Sequence, residues 1–446
     1  MKNSLRPPGP KGIPFVGSLF DFYRDMLGFL IKAAHDYGDI VYFRLGPREA
    51  FLINHPDLIK DVLVTHHRNF FKSRALERAK LVIGEGLLTS EEEFHLRQRR
   101  LMQPAFHNKR ISSYGKVMVD YASRMSEEWH DGETVDMHKE MMRLTLSIVA
   151  KSLFNTNVES EVEEIGKSVS IIIEMFPRTV FPFSELLDKL PLPSNRRFER
   201  AKERLDATVY RMIEERRATG EDRGDVLSML LMAQDEEADR SGMTDLQVRD
   251  EVMTLFLAGH ETTANALTWT WYLLSQHPDA ERRLHEELNT VLGSRSPAVE
   301  DLEKLQYTHM VFTESMRLYP PVWSVARRAV GEYKADKYIL PPGSVIFMSQ
   351  YVTHHDPRYF PDPFKFDPDR WKPENQESLP RFSYYPFGGG PRRCIGESFA
   401  WMEGALVIAA LASKWKMRLM PDQRVELQPL ITLRPKYGMQ MRLERR

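Results

Sequence analysis

Phe387-Gly388-Gly389-Gly390-Pro391-Arg392-Arg393-Cys394-Ile395-Gly396 carries the only cysteine in a chain of 446 residues. The glycine-rich turn ends in Cys394, and the run from Glu397 to Trp415 that follows reads as an apolar helix. A thiol so placed meets backbone N–H groups of the turn and the positive end of the helix, and both favour the thiolate. A thiolate is a metal ligand or a nucleophile. A cysteine nucleophile needs a neighbouring base, and nothing in the sequence marks which of the 14 histidines would serve. Three successive glycines suit a backbone lying close to something flat and bulky, where any Cβ would intrude. Arg392 offers a fork of donors to a carboxylate. Against the metal reading stands the ordinary fate of a lone cysteine, which is to be a small buried hydrophobe.

The spacing Phe-x-x-Gly-x-Arg-x-Cys-x-Gly, five positions fixed within ten residues, resembles the signature loop of the cytochromes P-450, which are haem-thiolate monooxygenases. The resemblance implies that Cys394 is the axial ligand of the iron of haem b. It also implies that Phe387 packs near the sulfur, that Arg392 pairs with a haem propionate, and that Gly396 belongs to the cofactor-binding loop. Such a protein should show the other family motifs in the family's order.

Composition sets the frame for that test. Hydrophobic residues make up 42% and charged residues 28%, ordinary for a globular protein with a sizeable core. With 62 basic against 63 acidic residues, no excess charge speaks for nucleic-acid binding. A single cysteine excludes a disulfide framework and fits a reducing cytoplasm. The start, Met1-Lys2-Asn3-Ser4-Leu5-Arg6, passes at once into Pro7-Pro8-Gly9-Pro10-Lys11-Gly12, leaving no room for an apolar signal or anchor. The expectation is a soluble, bacterial-type protein with no membrane anchor.

Asp39 to Asn54 alternates around Gly46-Pro47 and predicts a hairpin. Most of the remaining chain has helical period, broken at Phe181-Pro182, Pro191-Leu192-Pro193 and Pro341-Pro342. Strand character returns at Val345–Met348 and from about Val425 to Leu443. No internal repeat or long linker interrupts it. The expected fold is mainly α with small β-sheets, one domain over residues 1–446 with a β-rich part near 39–54 and no fused reductase. By resemblance the haem lies between a long central helix and the cysteine loop.

That central helix is predicted from the capping box Thr244-Asp245-Leu246-Gln247, with Pro278 setting its latest end, so about 30 residues run unbroken for roughly 45 Å. Leu255 to Leu274 is apolar enough to hint at a membrane span, but His260, Glu261 and Asn265 argue for a helix buried through a protein core. Small residues at 258 and 259 would let a flat cofactor approach the backbone. A threonine hydroxyl can bond back to the preceding turn. Ala258-Gly259-His260-Glu261-Thr262-Thr263 resembles the family's oxygen-binding motif, which implies that Thr262 hydrogen-bonds the bound dioxygen and that Glu261 serves proton delivery.

Phe94-His95-Leu96-Arg97-Gln98-Arg99-Arg100 places His95 and Arg99 one turn apart on a helix face. Alone it reads equally as a solvated basic face; the resemblance makes both residues propionate donors, with His95 where many relatives carry tryptophan. Arg327 resembles a further propionate donor, with Arg328 beside it. Glu314 and Arg317, three residues apart, together with Arg370 resemble the family's structural lock and are assigned no chemistry.

The resemblance implies oxygen insertion into a small apolar substrate such as a fatty acid, terpenoid or steroid. It implies O2 as co-substrate and electrons from NAD(P)H through a separate ferredoxin, flavodoxin or flavoprotein reductase, in a monomer. Arg97, Arg100, Lys109, Arg110 and Arg393 form either a docking patch for that donor or merely solvated charge. By analogy the pocket draws on Phe70 to Leu88, Ile172 to Phe183, the helix around Leu257, Val322 to Val325, and Ile431-Thr432. The alternatives are a peroxide-driven peroxygenase, a non-catalytic haem-thiolate sensor, and a haem-free helical interaction protein with an inert cysteine.

Overall fold

The computed structural model describes residues 6–155, 162–180, 190–235 and 242–446, excepting the side chains at 108, 109, 162, 163 and 176–180. Phe181-Pro182, and with it the end of the expected pocket segment Ile172 to Phe183, lies outside the described residues. The chain forms two compact units, one of Met1–Arg78, Met316–Phe366 and Arg370–Cys394, the other of Ala79–Ser315, Asp367–Asp369 and Ile395–Arg446.

The first unit is built on a five-stranded sheet. Numbered along the chain, its strands are β1 (Ile40–Leu45), β2 (Arg48–Ile53), β3 (Phe70–Lys72), β5 (Val325–Ala329) and β8 (Val345–Met348), in the order β1-β2-β8-β5-β3. The predicted hairpin is β1 with β2, in register from Ile40 opposite Ile53 to Leu45 opposite Arg48. Gly46, at φ 64°, supplies its left-handed turn residue. The β-rich part is therefore larger than residues 39–54, since strands some 300 residues apart in sequence complete it. A small hairpin, β6 (Tyr333–Ala335) with β7 (Tyr338–Leu340), joins it. The apolar positions Ile53, Phe51, Phe70, Ile346 and Met348 pack with Phe382 and Tyr385, so the approach to the cysteine loop is anchored in this core.

The second unit is helical. Its longest helix, Asp245–Gln276, starts at the predicted capping box, where Gln247 N donates to Thr244 Oγ1 at 3.2 Å and Thr244 N to Gln247 Oε1 at 3.0 Å. It stops two residues before Pro278, as proline requires. Residues are buried on nearly all its faces, which is why the sequence shows little amphipathic stripe. Trp269 Nε1 donates to Leu433 O at 2.9 Å, and Phe256 stacks on Phe154 at 4.6 Å. Phe154 ends the neighbouring helix Met137–Phe154, whose first turn is capped by Asp136, with His138 N donating to Oδ1. A three-stranded sheet, β4 (Thr134–Asp136), β12 (Gln440–Arg445) and β9 (Trp415–Leu419), and a hairpin, β10 (Leu427–Pro429) with β11 (Leu433–Pro435), complete the unit. Among the described residues no helix is long and apolar enough to cross a membrane. The predominance of helix with small sheets is as the sequence indicates.

Candidate active site

In the first unit the cysteine loop is fixed by its own backbone. Gly388 N donates to Tyr385 O at 2.9 Å, Arg393 N to Gly390 O at 3.0 Å, and Cys394 N to Phe387 O at 3.0 Å. Gly388 and Gly390 adopt φ of 70° and 68°, a region that glycine enters without a Cβ penalty. The sequence reading of the glycines needs correcting here. A Cβ on Gly390 would lie 2.1 Å from Leu63 O, and one on Gly389 would lie 2.5 Å from the Phe382 ring. Two of the three glycines thus make room for protein, not for a flat ligand. Cys394 is exposed, unlike a lone cysteine used as core filler, and the helix Glu397–Ala412 begins three residues later with Gly396 as its N-cap. An accessible sulfur beside a helix N-terminus is the donor that a haem iron needs, so the loop fits the cofactor.

In the second unit the central helix opens at the motif. Ala258 is exposed, and Leu257, Gly259 and Thr262 are partly so, within a stretch from Val248 to Trp271 that is otherwise buried. Thr262 Oγ1 bonds back to Ala258 O at 2.7 Å, as expected for a hydroxyl that loosens a helical turn. Thr145, from the helix Met137–Phe154, donates to His260 O at 2.9 Å and diverts another carbonyl of this turn. Ala258 therefore presents the small surface that the sequence suggests. Gly259 does not: its Cβ position is 3.1 Å from Val149 Cγ2, so helix packing explains that glycine.

Glu261 is 2% exposed and carries a buried charge that needs a partner. Arg434, on β11, supplies it through Nε to Oε1 at 2.6 Å, and the Thr432 hydroxyl donates to the same oxygen. Asn265 Nδ2 donates to Thr432 Oγ1 at 3.2 Å and to Glu261 O at 3.0 Å. Nothing local in the sequence joins residue 261 to residue 434, and sequence reasoning missed this pair. It also missed Glu403, fully buried in Glu397–Ala412 beside the Thr263 hydroxyl, where burial pushes the carboxyl well above the usual carboxylate range. The signal for Glu403 was present: it is the one acid inside the apolar run Phe399 to Ala412.

The proposed cofactor donors divide between the units. His95, on the helix Glu92–Met102, is 4% exposed with Nδ1 3.4 Å from Ser90 Oγ, and Arg99 on the same helix is partly exposed. A buried His95 excludes a wholly solvated basic face. Arg328 is engaged by Glu77 at 2.6 Å, whereas Arg327 is buried and donates to Ala326 O. Arg317 gives its guanidinium to the carbonyls of His354, Pro363 and Lys365, Glu314 accepts from Asp367 N at 3.0 Å, and Arg370 donates to Asp362 O. All three side chains are thus tied to backbone groups. The basic docking patch is a poorer fit. Arg97 and Arg100 share Asp235 at 3.3 and 3.0 Å, Arg110 donates to Gly224 O, and the Lys109 side chain lies outside the described residues.

Comparison with known proteins gives one answer. The family model for cytochrome P-450 matches residues 7–441, running through both units. Cyclooctatin synthase of Streptomyces melanosporofaciens is 43% identical over 427 residues, covering 95% of this chain and 92% of that one. Pentalenene oxygenase of Streptomyces avermitilis is 35% identical over 440 residues, covering 98% and 97%. A solved structure of cyanobacterial CYP120A1 with retinoic acid bound superposes with a TM-score of 0.88 at 27% identity, covering all of both chains. The thiol-bearing loop, the opened turn of the central helix and these matches agree, and the chain belongs to the cytochrome P-450 family as a haem b monooxygenase.

Proposed function

We propose that the chain hydroxylates a terpenoid. Two relatives at 43% and 39% identity are named cyclooctatin synthase and cyclooctat-9-en-7-ol 5-monooxygenase, and a third is pentalenene oxygenase. The observation that carries the reading is the opened turn at Ala258 and Thr262, adjoined by an apolar wall on the same helix. Leu257 is partly exposed there, while Phe256 and Met253 behind it pack against Ile165, Val169 and Val209 in the core. A hydrocarbon skeleton gains about 25 cal/mol for each Å² it buries on such a surface.

Cys394 is the iron ligand in this reading, with Phe387 and Gly396 shaping its loop, and Arg392, Arg327, His95 and Arg99 hold the propionates. Bound haem supplies dioxygen activation and transfer of one oxygen atom to carbon. Thr262 turns its hydroxyl toward the small exposed surface at Ala258 and holds a proton there. Glu261, one residue earlier, keeps a carboxylate within the same turn. Electrons come from NAD(P)H through a ferredoxin, flavodoxin or flavoprotein reductase, and the enzyme works as a cytoplasmic monomer. Since Asp235 offsets one of the two charges of Arg97 and Arg100, the donor docks with a weaker dependence of reduction rate on salt than the full basic cluster would give.

The test is to purify the protein, reduce it under carbon monoxide, and then titrate it with cyclic terpene hydrocarbons and alcohols, fatty acids and steroids. A band at about 450 nm, the wavelength in the family name, that is lost in Cys394→Ser supports the ligand assignment. A spin-state shift with terpenes, and a product heavier by one oxygen atom, supports the substrate class. A shift with fatty acids alone overturns it.

A further inference from the structure

Behind Glu261, on the side away from Thr262 in the hydrogen-bond network, lie three buried polar atoms with no well-aligned hydrogen bond among the described residues, although the His138 ring and the Asn265 side chain are close enough to interact. They are Arg434 Nη2, Asn265 Oδ1 and His138 Nε2. Arg434 is 6% exposed and Asn265 fully buried. They belong to one connected set. Arg434 and Thr432 both donate to Glu261 Oε1, Asn265 Nδ2 donates to Thr432, and His138 stands beside Asn265 within the fields of Arg434 and Glu261. His138 also reaches outward: the residue is partly exposed although its Nε2 is buried, and it lies two residues after the helix cap Asp136. Buried polar atoms left unpartnered cost roughly 1–3 kcal/mol each, and clusters of them in native proteins are where internal water binds.

We propose that His138, Asn265, Thr432 and Arg434 form the solvent-side arm of the proton route to Glu261, with ordered water joining Arg434 Nη2, Asn265 Oδ1 and His138 Nε2. The proposal rests on the monooxygenase reading. The overall change is substrate C–H plus O2, two electrons and two protons giving C–OH and water. The electrons come from NAD(P)H through the redox partner. The protons come from solvent, and this arm carries them inward: a proton taken up at one ring nitrogen of His138 leaves from the other to the water, and passes to Glu261. Arg434 and Thr432 are positioning residues, since both hold Oε1 of Glu261 and so fix its carboxylate. A buried ion pair used only for stability would be replaceable by an apolar pair. Here the unpartnered Nη2 beside a histidine that bridges interior and surface gives the pair a second use.

His138→Phe keeps the capped backbone N–H and removes the ring nitrogens; Arg434→Lys keeps the charge and removes the fork; Arg434→Met removes both. Each is compared with the wild-type holoenzyme, with cyclooctat-9-en-7-ol as probe substrate, or with the substrate class that the spin-state titration selects. For His138→Phe the product formed per NAD(P)H consumed falls at least about twofold and the H2O/D2O rate ratio rises by a similar factor, with an unchanged spectral dissociation constant for substrate. Arg434→Lys lies between wild type and Arg434→Met. A high-resolution crystal structure of the wild type shows water within hydrogen-bond distance of Arg434 Nη2 and Asn265 Oδ1. Should Arg434→Met fail to fold, His138→Phe and the crystal structure decide. Unchanged coupling and isotope ratio in His138→Phe, or a dry site between the three atoms, overturns the proposal. A wild-type protein with no band at about 450 nm would instead defeat the monooxygenase reading itself.

Discussion

At the scale of single residues, the chemistry rests on a few side chains whose surroundings differ sharply from the ordinary. Thr262 is the clearest. Its hydroxyl is tied to Ala258 O in a turn that is partly exposed where the helix on either side, from Val248 to Trp271, is buried. Thr262→Val preserves shape and removes the hydroxyl. The expected outcome is an unchanged 450 nm band and unchanged substrate binding, but about tenfold less product per NAD(P)H consumed, the balance appearing as peroxide. Peroxide release equal to wild type would remove Thr262 from the proton route. Glu403 differs in kind, because nothing charged faces it and its raised pKa is a cost to folding. An acid held neutral in the folded state and ionised in the unfolded state contributes stability fully present below the unfolded value of 4.5 and lost as pH rises. Glu403→Gln should therefore raise the melting temperature by a few degrees at pH 7, with the gain shrinking toward zero as pH approaches 4.5. A gain independent of pH would show that packing, not ionisation, is responsible.

At the scale of elements, the two glycines of the cysteine loop separate two physical requirements. Gly388 has a positive φ and open space at its Cβ position; Gly390 has a positive φ and a carbonyl 2.1 Å away. Gly388→Ala should cost about 1 kcal/mol of backbone strain and leave haem incorporation nearly intact. Gly390→Ala must push β-carbon against Leu63 O and so displace the loop. The ratio of haem to protein absorbance after purification should fall severalfold for the second and little for the first; equal losses would refute the distinction. These elements also show how far local sequence carries. The loop, the capped central helix and the β1–β2 hairpin were readable because each is written in adjacent residues: glycine spacing, Thr244 to Gln247, alternation around Gly46-Pro47. What local sequence cannot express is pairing over long separations. Arg434 lies 173 residues from Glu261, and Asp235 lies 135 from Arg100, so the ion pair behind the active turn and the acid shared by Arg97 and Arg100 both went unseen. Gly259 and Gly390 were misread for the same reason, since the atoms they avoid come from Val149 and Leu63.

At the scale of the whole molecule, burial of titratable groups sets how stability varies with pH, and the direction follows from counting opposed groups. Desolvation lowers His138 to about 4 and His285 and His355 to about 3, and also lowers His260, His309 and His354, all from 6.5. A histidine with a depressed folded pKa contributes stability that is complete above pH 6.5 and lost as pH falls toward the folded value, because the unfolded chain binds the extra proton. Glu403 acts in the opposite sense, losing stability as pH rises above 4.5. Between these two values six histidines oppose one glutamate, so the histidines prevail and stability rises with pH to about 6.5. Above that the histidine contribution is flat and only the slope from Glu403 remains, so stability declines gently. His138, His285 and His355 alone give a limiting slope of about 4 kcal/mol per pH unit on the acid side, three protons at about 1.4 each. Denaturant titrations of the purified holoprotein across that range should show a steep acid limb, a maximum near neutrality and a shallow alkaline limb. His285→Gln should flatten the acid limb by about one proton's worth without moving the 450 nm band. An acid limb of unchanged slope in that variant would mean that His285 is already charged in the folded protein, against the burial and the neighbouring cations Arg446, Lys416 and Arg418 that hold it neutral.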